Sequence, residues 1–115
     1  MLTVNDVVKK LGFEIKINGD LDKEVTGCYI SDLLSDVMAK SKDGELWITL
    51  QTHPNIVAVA VVKGISAIII TNNRDPEPDT AKKAETEKIT VLKTGHTTFE
   101  TAGMIYTLLK SENLL

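Results

Sequence analysis

With 115 residues, 43% hydrophobic and 25% charged, the chain is sized for a single domain, 1–115, with a real core. Its formal net charge of −3 argues against nucleic acid and against an anionic membrane surface as partners, since both favour a basic face. The lone cysteine, Cys28, excludes an internal disulfide and points to a reducing, cytoplasmic compartment.

Thr3 can cap a helix from Val4 to Leu11, and Asp6, three residues on, suits the positive helix end. Gly12 stops it. Phe13 to Ile17 alternates apolar and polar, a strand signal, and Asn18-Gly19 is a turn. Val25 to Ile30 reads as a second strand. Ser31-Asp32 then caps a short helix, Leu33 to Ala39, with Leu33, Leu34, Val37 and Met38 at core-facing spacing. Lys42-Asp43-Gly44 turns into a strand from Leu46 to Leu50, which contains the single tryptophan, Trp47, as a core residue.

Ile56 to Val62 has two readings. Its β-branched content suits a strand, with Lys63-Gly64 as a hairpin turn into Ala67 to Ile70. Alternatively it is a buried helix that starts at Pro54 and ends at Lys63-Gly64. The helix is preferred, because later segments alternate in the manner of βαβ units. Ala67 to Thr71 is a buried strand, Asp75 to Pro78 a loop, and Asp79 to Lys88 a solvated helix. Ile89 to Leu92 is a strand. Thr97 or Thr98 caps a last helix whose inner stripe is Phe99, Ala102, Ile105 (or Tyr106) and Leu109. Met1 to Lys10 lacks the pattern of a secretory signal, and Ile56 to Ile70, broken by Lys63-Gly64, is too short to span a bilayer. The expected fold is α/β, a mainly parallel central sheet of about five strands flanked by helices.

The segments Val25-Thr26-Gly27, Ser31-Asp32, Gly44 to Leu50, His53, Val57-Ala58 and Lys63 to Thr71 resemble the DRTGG domain. That domain occurs alone, beside CBS domains in some regulated pyrophosphatases, and within phosphotransacetylases. The resemblance runs from about Val4 to Leu109. It sets Thr52-His53 against the family's Asp-Arg and Thr71-Asn72-Asn73 against its Thr-Gly-Gly, so only the threonine is kept. The order of elements also resembles the amino-terminal domains of HPr kinase and of the Mur ligases. In the latter a serine-bearing loop and the loop after the next strand hold a uridine nucleotide; here those loops are Ser31-Asp32 and Gln51-Thr52-His53. No phosphate-cradling GxxxxGK[ST] is present, so the kinase chemistry is not implied.

A polar turn between two apolar elements of an α/β domain is where ligands sit. The candidate ligand-binding residues are therefore Ser31, Asp32, Gln51, Thr52, His53, Asn55, Thr71, Asn72 and Asn73, all expected at the carboxyl ends of strands. Thr52 and the amides of Asn55 and Ile56 would face an anion at a helix start, and His53 would donate to a phosphate or a base. The competing reading is that Thr52 or His53 only caps the helix. His53 and His96 have no companions at metal-ligand spacing, so no metal is expected. Cys28, with no basic neighbour, reads as an inert core residue. No nucleophile–base or carboxylate pair stands out. The expectation is a regulatory or ligand-sensing domain, not an enzyme and without a cofactor. Its ligand would be a nucleotide or another phosphorylated metabolite, and it would form a homodimer. The alternative is an accessory interaction protein that docks on an enzyme or signalling complex and binds no small molecule.

Overall fold

A computed structural model describes residues 1–115. Ten elements follow one another: α1 (Val4–Leu11), β1 (Glu14–Ile17), β2 (Gly27–Ile30), α2 (Leu34–Lys40), β3 (Glu45–Thr49), α3 (Asn55–Lys63), β4 (Ala67–Ile70), α4 (Pro78–Glu87), β5 (Val91–Lys93) and α5 (Thr98–Ser111). The five strands form one sheet in the order β1-β5-β4-β3-β2. β2, β3, β4 and β5 are parallel, and β1 joins β5 antiparallel at one edge. The sheet is thus mixed, with its parallel part dominant.

Alternation along the strands divides the core in two. Leu46, Ile48, Ala67, Ile69 and Leu92 pack with Val4, Val7, Ile105 and Leu109 of α1 and α5. Trp47, Ile68, Ile70 and Val91 pack with Val37, Ile56, Val57, Ala60 and Ala84 of α2, α3 and α4. Because both faces are covered, the central strands are apolar throughout, as parallel strands require. Each fully buried Leu or Ile contributes about 1.5–3 kcal/mol.

The helical reading of Ile56 to Val62 is the one the structure adopts. Parallel β3 and β4 cannot be joined by a hairpin; they need a crossover, and α3 supplies it. Its inward residues Ile56, Val57, Val59 and Ala60 are buried while Val61 and Val62 face out, a helical period that overrides β-branched propensity. Gly64 closes the helix at φ 66°, in the left-handed region.

Two apolar stripes differ from expectation. Leu33 and Met38 are exposed, and Val37 alone of the expected α2 residues is fully buried. On α5 Phe99 is 87% and Tyr106 58% exposed, whereas Thr101, Ile105, Leu108 and Leu109 face the sheet. Thr101 can point inward because its hydroxyl donates to Thr97 O at 2.8 Å, which removes the polar penalty that hid it from an apolar-stripe reading. β5 starts at Val91 rather than Ile89, since Ile89 N still donates to Ala84 O of α4 at 2.9 Å.

Candidate functional site

Four parallel strands place their carboxyl ends at one edge of the sheet. The segments 31–33, 50–54, 71–77 and 94–97 follow those ends, and antiparallel β1 begins at the same edge, with Glu14 opposite Lys93. The expected site residues fall there into three groups.

Asp32 does not cap α2. The residue at that helix start is Leu33, with no side-chain cap. Asp32 Oδ1 instead accepts from Thr49 Oγ1 at 2.9 Å and from Leu50 N at 2.7 Å, and Gln51 Nε2 donates to Asp32 O at 3.0 Å. Ser31 Oγ accepts from Leu33 N at 3.1 Å, and Ser31 O accepts from Trp47 Nε1 at 2.8 Å. Ser31, Asp32 and Gln51 thus form a latch between the β2 and β3 loops.

The second group turns toward α4. Thr52 O accepts from Thr80 Oγ1 at 2.6 Å and from Glu77 N at 3.2 Å. His53 Nδ1 accepts from Asn55 N at 3.1 Å, and His53 O accepts from Ile56 N at 3.1 Å. The amides expected to face an anion are therefore engaged by His53 itself, although the residue at the start of α3 is Pro54 and no side chain caps it. With Nδ1 accepting, neutral His53 carries its proton on Nε2.

The third group joins the β4 and β5 loops. Thr71 Oγ1 and Thr98 Oγ1 lie 2.8 Å apart, and Asn72 Nδ2 donates to Thr71 Oγ1 at 3.0 Å. Asn72 N donates to His96 O and Asn73 N to Thr94 O, each at 2.9 Å. Asn72 and Asn73 hold φ of 61° and 60°. Asparagine is among the few non-glycine residues that tolerate this left-handed backbone. Two such residues stand where the resemblance sets the glycines of Thr-Gly-Gly.

Beside Asn73 lies a cleft of about 410 Å³ that sequence reasoning missed. Glu14, Lys93, Thr94 and His96 line it, with Gly12 and Gly95. Lys93 Nζ pairs with Asp75 Oδ1 at 2.8 Å; Lys16 Nζ lies 3.3 Å from the same oxygen and 3.4 Å from Glu14 Oε2. Lys93 and then Lys16 hold the Asp75 carboxyl below the usual carboxylate range. His96 Nδ1 lies 3.6 Å from Glu100 Oε1. The missing signal was non-local: only the β1–β5 pairing brings Gly12 and Glu14 to Lys93. Cys28 sits away from this edge of β2, and burial, aided by the Glu45 carboxylate, pushes its thiol up to about 12. That keeps it protonated and inert.

Comparison with known proteins adds two findings. The sequence profile of the DRTGG domain matches residues 6–108. Among solved structures, the fold is similar to the CBS and DRTGG domains of the regulatory region of Clostridium perfringens pyrophosphatase, complexed with its activator diadenosine tetraphosphate, at a TM-score of 0.68 and 17% identity. The match covers 90% of this chain and 45% of that one, so the likeness is one of fold, and this chain spans less than half of that structure. No curated protein matches the chain.

Proposed function

The chain belongs to the DRTGG domain family, and from that premise we propose that it is a regulatory, ligand-sensing domain without catalysis of its own, whose ligand is a nucleotide or another phosphorylated metabolite. The observation that carries the reading is the convergence of four strand ends on one edge, where hydroxyls, amides, imidazoles and Lys93 gather. Ligands bind at that edge of open α/β sheets. The fold neighbour is a regulatory region bound to a nucleotide activator, which supports the same ligand class here. A non-catalytic role accords with the engaged Nδ1 of His53 and the protonated thiol of Cys28. No helix is long and apolar enough to cross a membrane.

The test is a thermal-shift series with mononucleotides and dinucleoside polyphosphates. A ligand at 100 times its Kd stabilises the fold by about 2.7 kcal/mol, a rise of several degrees for a domain of this size. No shift with any of them at millimolar concentration overturns the reading.

A second observation favours a protein partner as well. Ile30, Tyr106 and Leu115 are exposed and, with Cys28 and Ala102, line an apolar groove beside β2. β2 is an edge strand, and an unpaired edge is complementary to itself across a two-fold axis. The occupant we propose is a second copy of the chain. Light scattering of the wild type should give a dimer and of Tyr106→Glu a monomer. A monomeric wild type at high concentration overturns the dimer and leaves the face to an enzyme or signalling partner, the accessory role.

A further inference from the structure

We propose that the cleft between β5 and the α1–β1 turn is a binding site for a small phosphate-bearing metabolite, whose phosphate takes the Lys93 ammonium over from Asp75. This rests on the ligand-sensing reading and moves its centre away from Gln51 to Asn55. The volume, about 410 Å³, lies in the range of small-molecule sites. Only one of its eight lining residues, Leu11, is hydrophobic, so it suits a polar occupant.

Lys93 carries the argument. Its side chain is 13% exposed, and β5 fixes where it points. A covered ammonium requires a counter-ion. The one it has, Asp75, is 58% exposed and lies on the connection between β4 and α4. An incoming phosphate can replace that carboxylate at Lys93, and the displaced Asp75 still has Lys16 at 3.3 Å, an ammonium it shares with Glu14 at 3.4 Å. The low pKa of Asp75 agrees with an internal anion that already occupies the lysine.

The surroundings are ready for such an exchange. Asn72 N and Asn73 N are tied to the β5 loop through His96 O and Thr94 O, so one wall is held by backbone bonds. His96, half exposed at the rim, adds a ring N–H. Space beside Gly12 and Gly95 is open, with nothing within 4 Å of where a Cβ would stand. The exchange also has an output. Asp75 would then hold Lys16 alone, and two residues on Glu77 N donates to Thr52 O at 3.2 Å, so the exchange has a route to the start of α3.

The experiment is a titration of the full chain with ADP, inorganic phosphate and succinate, followed by amide NMR and calorimetry, for the wild type, Lys93→Met and Asp75→Asn. A bond to a charged donor contributes about 1.5–3 kcal/mol, so Lys93→Met should weaken ADP binding by about tenfold or more. Asp75→Asn should tighten it several-fold, because the internal competitor is gone; a misfolded variant cannot show such a gain. Shifts at Gly12, Asn73, Gly95 and His96 are expected. ADP shifts confined to 50–55, or a loss of affinity in Asp75→Asn like that in Lys93→Met, overturn this site while ligand sensing stands. Succinate binding as tightly as phosphate overturns the phosphate class. No binding of ADP or phosphate overturns both.

Discussion

The two ends of the sheet differ in how closely their main chains approach. At the amino end, glycines let backbone meet backbone, beside side-chain bonds such as Ser66 Oγ to Glu24 O at 2.6 Å. Gly44 N donates to Gly64 O at 2.9 Å, with both glycines at left-handed φ. Gly19 is pressed so close to Lys88 and Thr90 that an added Cβ would lie 2.5 Å from main-chain atoms. At the carboxyl end, side-chain joints are added to the backbone bonds: Asp32 to Thr49, Thr71 to Thr98, Thr80 to Thr52. Main chain packed on main chain leaves no slack, whereas side-chain joints can exchange partners. The first end holds the fold; the second has room for a ligand.

That contrast is broken most directly by a methyl group at each end. Gly19→Ala should cost about 2–3 kcal/mol, the cost of forcing atoms into a packed site, seen as a lower urea midpoint. Gly95→Ala, with nothing within 4 Å, should stay within about 0.5 kcal/mol. Equal effects would erase the distinction.

Next in size are Asn72→Val and Asn73→Val. Each should cost about 1–2 kcal/mol, since a β-branched residue resists the left-handed backbone. Asn72→Gly and Asn73→Gly, which suit a left-handed backbone, should be nearly neutral in the same urea titration. A loss with glycine would mean that the asparagine side chains, not their backbone, matter here.

Asp32→Ala should cost about 1 kcal/mol through its bonds to Thr49 and Leu50, and it should loosen the β2 loop. Hydrogen exchange should quicken at Leu50 and leave Gly44 unchanged.

The smallest effect concerns a device shared by both ends. Capping boxes start α1, with Thr3 and Asp6, and α5, with Thr97 and Glu100. The bond from Thr3 N holds the Asp6 carboxyl below its ordinary value, and that from Thr97 N does the same for Glu100. A depressed folded pKa gives stability that is present above the unfolded value, about 4, and lost as pH falls through the folded one. Acid unfolding of Asp6→Asn and Glu100→Gln should therefore be less steep below about pH 4, by similar small amounts. A large difference between them would make the box at one end special.

These boxes also mark what was legible in the sequence. Thr3 with Asp6, Gly12 and Gly64 act within one helical turn, so α1 and the ends of α3 could be placed by reading along the chain. The α5 stripe holds at Ala102, Ile105 and Leu109 and fails at its first residue, where Phe99 turns outward and Thr101 inward; hydropathy ranks those two the other way. The edge that gathers the loops followed from βαβ alternation. The partners of its residues did not, because Asp32 meets Leu50 and Glu14 faces Lys93 only after strands pair. The cleft was invisible for that reason.

The fully buried Trp47 is the only tryptophan, and its indole N–H reaches across to Ser31 O at 2.8 Å. The chain thereby contains its own optical probe. Excited at the indole band, it emits from one position, against the loop that follows β2. Release of that loop would admit water and move emission to longer wavelength while the far-ultraviolet dichroism of the helices stays constant. Asp32→Ala would set the red limit of that signal, and a ligand that steadies the loop would draw the emission toward the blue.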